Sequence, residues 1–235
     1  MLSVRYCVII PTYQGERTLG ALLRKLTEYC PPQDILVVND GSTDSTEEVA
    51  RKFGVNVEKS HPGGKNMGKG YALKRGFAWA IERNYDFVIT LDADLQHPPE
   101  MIPEFARRVE SGADMVVGNR MGDLSSMPPE RRISNKLSSF FVSLLAGRKF
   151  PDTQCGFRAI RTSLLRKIRL FYHRYQTESE ILIEGARKGA KIEFISIPTI
   201  YTIHGSHFHP VVDTLRFIFF VLSYYPTRCF AKFIK

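Results

Sequence analysis

The stretch that decides the fold of this protein reads Thr90-Leu-Asp-Ala-Asp-Leu-Gln-His-Pro98. It follows a largely apolar run over Tyr85–Ile89, which predicts a buried strand. Where this strand ends, Asp92 and Asp94 leave the extended backbone on the same side, because side chains repeat every second residue. Gln96 continues that side, and oxygen ligands placed there suit a hard divalent cation. For an isolated Asp-x-Asp, the alternative is a polar strand end that points its carboxylates into water.

Strands and helices alternate through the first half of the chain. The predicted strands are Arg5–Pro11, Asp34–Asn39, Val55–Glu58, Phe87–Leu91 and Met115–Gly118. The predicted helices are Arg17–Tyr29, Thr46–Phe53, Gly68–Arg83 and Pro98–Glu110. This alternation predicts parallel βαβ units, whose ligands lie outside the carboxyl ends of the strands. The polar strand ends should therefore share one rim: Pro11–Tyr13, Asn39–Asp40, Asp92–Asp94 and Asn119–Arg120.

Composition and charge limit the classes of protein that the chain can belong to. With 235 residues, 43% of them hydrophobic, it can bury one substantial core. The formal net charge is +9. The excess is concentrated between Arg120 and Arg174, where twelve Lys and Arg face three Asp and Glu. Such a surface suits a nucleic acid, an anionic membrane face or a phosphorylated substrate.

Cysteine spacing and hydropathy bear on the compartment. The four cysteines contain no CxxC pair, which favours reduced, mostly buried thiols. The apolar run Val4–Tyr13 is too short for a signal peptide. No apolar run reaches about 18 residues, so no membrane-spanning helix is expected.

Other strand ends and loops fit a nucleotide diphosphate. Asp40 could accept a base N–H, with turn former or helix cap as the alternative. Pro11, Tyr13 and Glu16 could line the base and ribose, although a capped loop explains each of them alone. The segment Asn66-Met-Gly-Lys-Gly70 suits anion binding at a helix N-terminus, but it lacks the spacing of a Walker loop.

Seven stretches together carry a resemblance to a known family. They are Ile10–Tyr13, Val37–Ser45, Asn66–Gly70, Leu91–Gln96, Gly118–Arg120, Asp152–Arg158 and Thr177–Glu180. Over roughly residues 4–215 the sequence resembles the family 2 glycosyltransferases of the A-type fold, and among them the dolichyl- and polyprenyl-phosphate sugar synthases. The resemblance implies an α/β fold with a mostly parallel central sheet flanked by helices. The expected organisation is a catalytic domain over 1–210 and a C-terminal apolar and basic amphipathic helix over 211–235.

The resemblance also implies roles for individual residues. Asp40 would read the base, while Asp92 and Asp94, with Gln96, would bind Mg²⁺ or Mn²⁺ on the donor diphosphate. The expected nucleotide-sugar site comprises Pro11, Tyr13, Glu16, Asp40, Lys69, Gly70, Asp92 and Ala93. The expected catalytic residues are Asp94, Arg120, Asp152, Gln154 and Glu178. The implied reaction is inverting, with a nucleoside diphosphate such as GDP or UDP leaving the anomeric carbon of a hexose.

The nature of the acceptor is left open by the residues. A hydroxyl acceptor needs a general base, for which Glu178 and Glu180 are candidates, with helix capping or ion pairing as the alternative. A phosphate monoester is already anionic and needs only positive charge. The basic excess favours a polyprenyl phosphate. Its expected phosphate ligands are Arg131, Arg132, Arg158 and His207.

One stretch departs from the family pattern. The synthases resembled here carry an Arg and a Lys at the positions of Thr202 and His207. Four residues in this region could contact a pyrophosphate or complete the metal site: His204, His207, His209 and Asp213. The departure leaves the sugar and the base of the donor open.

Two apolar stretches beside basic residues bear on membrane attachment. They are Leu137–Leu145 and Leu215–Tyr225, and each fits a helix lying in a membrane interface. Ordinary core helices are the alternative. We expect peripheral attachment at the cytoplasmic face.

Further alternatives come from outside the phosphate-acceptor class. Within the family, the runner-up is transfer to a hydroxyl of a lipid-linked or cell-envelope glycan. A nucleotidyltransferase would need a Gly-rich basic signature where this chain has Pro11–Gly15. A non-catalytic module that binds anionic membranes would not need both carboxylates. Nucleic acid is not expected as a partner, because no aromatic-basic repeat is present.

Overall fold

The computed structural model describes residues 4–122, 127–200 and 215–224, with the backbone alone at Glu130. The strands are β1 (Tyr6–Thr12), β2 (Ile35–Asn39), β3 (Asn56–Lys59), β4 (Phe87–Thr90), β5 (Met115–Asn119), β6 (Arg158–Arg161) and β7 (Ile192–Ser196). The helices are α1 (Glu16–Leu26), α2 (Thr46–Lys52), α3 (Lys69–Glu82), α4 (Ile102–Glu110), α5 (Pro129–Ala146), α6 (Thr162–Leu165), α7 (Gln176–Arg187) and α8 over 215–224.

The strands form one sheet in the order β3-β2-β1-β4-β6-β5-β7. All neighbouring pairs are parallel except the two that involve β6, which is antiparallel to both β4 and β5. The predicted α/β class with a mostly parallel sheet is confirmed. Because β6 is reversed, its first residue, Arg158, lies at the edge where β4 ends and pairs with Thr90.

The core follows from the apolar patterns of the strands and helices. Strand β2 is buried at every position, as expected for a central parallel strand with both faces covered. Helix α1 buries one stripe at helical spacing: Leu19, Leu22, Leu23 and Leu26. Helix α4 packs on the sheet through Phe105, whose ring stacks on Phe157 with centroids 4.1 Å apart. The outer helices therefore cover the central strands of the sheet.

The predicted element boundaries are close to those observed, with two larger differences in the first half of the chain. The first helix, predicted to reach Tyr29, ends at Leu26. The helix predicted from Pro98 begins instead with a 3-10 turn over Pro99–Met101, and α4 starts at Ile102. Two prolines near its start remove backbone donors that an α-helix would otherwise leave unpaired. The predicted reduced thiols are observed for the three described cysteines, which are buried and unbridged: Cys7, Cys30 and Cys155.

Helix α8 packs against the rest of the described chain through two aromatic residues. Phe220 meets the ring of Tyr172 edge to face, and the hydroxyl of Tyr224 donates to Glu184 Oε1 at 2.5 Å. Residues 211–214 and 225–235 of the predicted C-terminal segment lie outside the described residues. Within the parts of the chain that the structure covers, no helix is long and apolar enough to cross a membrane.

Candidate active site at the carboxyl ends of the strands

A cavity of about 770 Å³ lies at the carboxyl ends of β1, β2 and β4. Seven of the eight residues predicted for the nucleotide-sugar site line it: Pro11, Tyr13, Glu16, Asp40, Lys69, Asp92 and Ala93. Asp94 also lines it. The eighth residue, Gly70, instead packs tightly on α7, where an added Cβ would lie 1.9 Å from Thr177 Oγ1. The predicted convergence of these strand ends is therefore present in the fold.

Lys69 joins two carboxylates at this cavity. Its Nζ lies 2.5 Å from Asp92 Oδ1 and 3.0 Å from Glu178 Oε1. Burial alone would lower the pKa of Lys69, but the two carboxylates raise it well above its ordinary value. Burial would raise the pKa of Asp92, but the charge and hydrogen bond of Lys69, with the charge of Arg120, lower it to about 2. Asp92 is therefore ionised and held by a cation from its own chain.

Asp94 has the opposite electrostatic environment. Burial, followed by the charge of Asp92, raises the pKa of Asp94 to about 6. The backbone directly after Asp94 is unusual as well, because Leu95 has a φ of 63°. A left-handed conformation costs a branched residue about 1–2 kcal/mol. The loop therefore keeps two carboxylates together against both their charge repulsion and the backbone preference of Leu95.

A divalent cation fits this donor set. Two neighbouring carboxylates supply hard oxygen ligands and repel one another until a cation joins them. No group of three His, Cys, Asp or Glu suited to a metal occurs among the described residues. The side chain of Gln96 is not part of the described cavity wall, and its backbone N–H donates to Asp94 Oδ1 at 3.1 Å.

His97 supports the Asp92 backbone and was not singled out from the sequence. Its Nδ1 accepts the N–H of Asp92 at 3.1 Å, and its Nε2 lies 3.9 Å from Cys155 Sγ. The ring is 2% exposed and packs against Phe157. Burial lowers the pKa of His97 to about 4, so the ring is neutral and Nδ1 is free to accept. The Gln-His-Pro sequence after the carboxylates was the available signal.

Replacing His97 should separate an Nδ1 role from general packing. The His97→Asn variant can place an acceptor near the Nδ1 position, whereas His97→Gln places one near Nε2. We expect His97→Gln to weaken Mn²⁺ binding and transfer by about ten-fold to a hundred-fold, because a buried N–H left unpaired costs about 1–3 kcal/mol. We expect His97→Asn to retain most of both. Titration calorimetry with Mn²⁺ and initial rates would measure these effects; equal losses in the two variants would contradict the role of Nδ1.

Asp40 organises the loop that precedes α3. Its Oδ1 accepts the Ser60 hydroxyl at 2.5 Å and the N–H of Met67 at 3.0 Å, and its Oδ2 accepts the N–H of Gly68 at 2.7 Å. The carboxylate also lines the cavity. Contact between Asp40 and a base therefore remains a prediction. In the structure, Asp40 also stabilises the loop before α3.

Arg120, Asp152 and Gln154 form a second polar group. The Arg120 guanidinium donates to both carboxylate oxygens of Asp152, at 2.8 and 3.1 Å, and the N–H of Gln154 donates to Asp152 Oδ1. Burial would raise the pKa of Asp152, but Arg120 holds it below its ordinary value. None of the three belongs to the described lining of the cavity. Their predicted catalytic roles remain predictions.

Arg158, predicted to bind the acceptor phosphate, lies in the interior and outside the described lining of the cavity. Its side chain is 1% exposed, and its guanidinium donates to three backbone carbonyls: Thr153, Cys155 and Glu178. Strand β6 brings Arg158 to the edge where β4 ends, but its guanidinium is bound there by carbonyls of the loop before β6 and of α7. Glu180 is likewise buried and accepts the N–H groups of Phe171 and Tyr172.

Of the remaining predicted phosphate ligands, the two that the structure describes lie outside the cavity wall. Arg131 and Arg132 occupy the first turn of α5, outside the described cavity wall, and Arg132 Nε donates to the carbonyl of Met127 at 2.7 Å. The histidine cluster around His207, with Asp213, lies outside the described residues. Sequence reasoning missed other cavity residues, including three arginines: Arg17, Arg174 and Arg216. No local sequence pattern distinguishes them from other surface arginines.

Comparison with known proteins identifies the family. The model of Glycosyl transferase family 2 matches residues 7–169. The chain is 34% identical to the polyprenol monophosphomannose synthase of Mycolicibacterium smegmatis over 173 residues, which are 71% of this chain and 65% of the relative. It is 31% identical to the dolichyl-phosphate hexose transferase of Haloferax volcanii over 192 residues, 81% of each chain. The chain belongs to glycosyl transferase family 2 and is a glycosyltransferase, which confirms the predicted resemblance.

Solved structures support the fold. Glucosyl-3-phosphoglycerate synthase from Mycobacterium tuberculosis, crystallised with Mn²⁺ and UDP-glucose, superimposes with a TM-score of 0.73 at 20% identity. The match covers 97% of this chain and 79% of that one. The predicted A-type fold is therefore confirmed.

Proposed function

We propose that this glycosyltransferase moves a hexose from a nucleotide-diphosphate sugar to a polyprenyl or dolichyl phosphate at a membrane surface. Two relatives described above are named polyprenol monophosphomannose synthase and dolichyl-phosphate hexose transferase. Asp92 and Asp94 would hold Mg²⁺ or Mn²⁺, which neutralises charge on the leaving diphosphate when bound. Mn²⁺ and Mg²⁺ accompany UDP in crystals of the structural neighbour.

The burial and ion pairing of Glu178 bear on whether the acceptor is a hydroxyl or a phosphate. A hydroxyl acceptor needs a carboxylate that is free to take its proton. Glu178 is 4% exposed, ion-paired to Lys69 at 3.0 Å and absent from the described lining of the cavity. An acceptor that arrives as an anion needs no such base. The geometry therefore favours a phosphate monoester over a hydroxyl.

The reaction follows from these roles. A phosphate oxygen of the acceptor attacks the anomeric carbon and forms a new C–O bond, while the bond from that carbon to the donor diphosphate breaks. The electron pair leaves with the nucleoside diphosphate, and attack from the opposite face inverts the anomeric centre. Within the chain, the Asp40-bound loop would support the donor, and Lys69 would keep Asp92 ionised and oriented. No side chain has to remove a proton.

Two helices with outward-facing apolar residues support attachment to a membrane. Helix α5 buries polar side chains and exposes apolar ones. Its buried polar residues are Asn135, Ser138 and Ser139. Its outer face presents Ile133, Leu137, Phe140 and Leu144, which are 53–68% exposed. Helix α8 presents Leu215, Ile218, Phe219 and Leu222, which are 48–73% exposed. Apolar faces beside basic residues lie stably in an anionic interface, and the cytoplasmic leaflet carries that charge. We therefore infer peripheral attachment at the cytoplasmic face.

A transfer assay with the full chain tests this function. Radiolabelled GDP-mannose and UDP-glucose would each be offered, with Mg²⁺ or Mn²⁺, to polyprenyl phosphate and separately to free polyprenol. We expect a labelled lipid product from the phosphate alone, and we expect a chelator to abolish it. Transfer to polyprenol at a comparable rate would contradict the phosphate acceptor and favour a hydroxyl acceptor. Failure to consume any nucleotide sugar would contradict transfer from these donors altogether.

A further inference from the structure

Two arginines that no sequence pattern indicated lie at the cavity wall. Arg174 belongs to the loop before α7, and Arg216 belongs to α8. The same cavity contains Asp92 and Asp94. Carboxylates and arginines at one cavity suit a reaction that brings together a cation-bound diphosphate and a second anion, because arginine binds phosphate oxygens through several donors.

The position of Arg174 is set by the loop that precedes α3. An added Cβ on Gly68 would lie 2.7 Å from Arg174 Cγ, so the stem of the arginine packs directly on the glycine. The N–H of Tyr71 donates to the carbonyl of His173 at 2.9 Å, and Lys74 Nζ lies 2.9 Å from His173 Nδ1. Arg174 is thus tied to the helix that begins at Lys69.

The position of Arg216 is set by the anchored face of α8. The Tyr224 hydroxyl bonds Glu184, and Ser223 Oγ lies 3.1 Å from the hydroxyl of Tyr172. The outward face of the same helix is apolar, and Leu215, the neighbour of Arg216, belongs to it. An arginine at the cavity wall and an apolar strip therefore occupy one short helix.

We propose that Arg174 and Arg216 bind the phosphate of an isoprenoid phosphate acceptor, whose chain leaves along the exposed apolar face of α8. This inference rests on the proposed function, because it gives that function its acceptor site. The phosphate head of such an acceptor would contact the two cavity arginines. Its apolar tail would contact the exposed apolar face of α8, which adjoins Arg216. The assignment replaces Arg158, which is buried and donates to three backbone carbonyls.

Equilibrium binding to the full chain tests the proposal without requiring turnover. Titration calorimetry would compare farnesyl phosphate, farnesol and inorganic phosphate. We expect Arg174→Ala and Arg216→Ala each to weaken farnesyl phosphate binding by about ten-fold, the equivalent of about 1.4 kcal/mol, and to leave farnesol binding nearly unchanged. Phe219→Ser should weaken both lipids together. Arg216→Lys should retain most of the affinity, and Arg24→Ala, on the exposed face of α1, is the control for loss of surface charge.

The possible outcomes separate failure of the acceptor site from failure of the proposed function. The acceptor site would be refuted if the affinity for farnesyl phosphate were unchanged in both alanine variants. Equal weakening of nucleoside diphosphate binding in the presence of Mn²⁺ would assign the arginines to the donor. If inorganic phosphate bound as tightly as farnesyl phosphate, the role of the apolar strip would be lost. Arginine-dependent binding without any sugar transfer would refute the proposed function and keep the site. Normal transfer by both alanine variants would refute the site and keep the function.

Discussion

The Asp94→Asn variant should lose about a thousand-fold in kcat/KM, because it removes one of the two carboxylates that would hold the cation on the leaving diphosphate. The same change should not destabilise the metal-free protein. The pKa of Asp94 is raised to about 6 by burial and by Asp92, so its ionised form costs folding free energy at pH 7. A neutral amide removes that cost.

Initial rates with Mn²⁺, a Mn²⁺ titration and thermal unfolding would measure these effects. The control is Asp86→Asn, at the opposite end of β4, where the carboxylate accepts the N–H of Arg5 at 2.8 Å. That variant should keep its rate, since an amide oxygen can still accept. If Asp94→Asn retained a tenth or more of the wild-type rate, or unfolded at a much lower temperature, the metal-diphosphate role of Asp94 would be refuted.

The Gly156→Ala variant should lose about a hundred-fold in transfer rate while remaining folded. An added Cβ would lie 2.7 Å from Asp92 Oδ2 and 2.9 Å from Lys69 Nζ. The backbone cannot retreat easily, because the carbonyl of Gly156 accepts the Thr90 hydroxyl at 2.7 Å. The carboxylate must therefore move, and a displacement of about 1 Å at a reacting centre can cost a hundred-fold in rate.

The matched control for this variant is Gly20→Ala on α1. Its added Cβ would meet Val49 at 3.4 Å, an ordinary contact, and alanine favours the helix. Gly20→Ala should keep its rate and its stability. If Gly156→Ala kept the wild-type transfer rate and Mn²⁺ affinity, the expected loss would be contradicted. The Lys69–Asp92 pair would then tolerate displacement.

Much of the site could be predicted because it depends on strand ends. Asp40, Asp92 and Asp94 each follow a parallel strand, and parallel strands end at the same edge of a sheet. The antiparallel strand β6 could not be predicted, since four residues without clear alternation carry too little local signal. Arg158, in a family-like stretch, is structural because its buried guanidinium donates to three backbone carbonyls.

For the helices, too, the sequence predicts some properties and only packing decides others. The apolar run within α5 could be recognised in the sequence, but not the face that it turns outward. Only packing shows that Ser138 and Ser139 are inside and Phe140 is outside. Likewise, Arg216 follows an apolar residue in the sequence, and only the anchoring of α8 through Tyr224 brings it to the cavity.

The amino-acid sequence by itself determined the alternation of strands and helices, the carboxylate pair at a strand end and the family. These properties depend on residues that are neighbours along the chain. The tertiary structure alone decided that Lys69 forms an ion pair with Glu178, that Arg158 is buried and that Arg174 and Arg216 share one cavity. Ion pairing and burial join residues far apart in the chain, and their free energies depend on distance and solvent exposure, which exist only once the chain has folded.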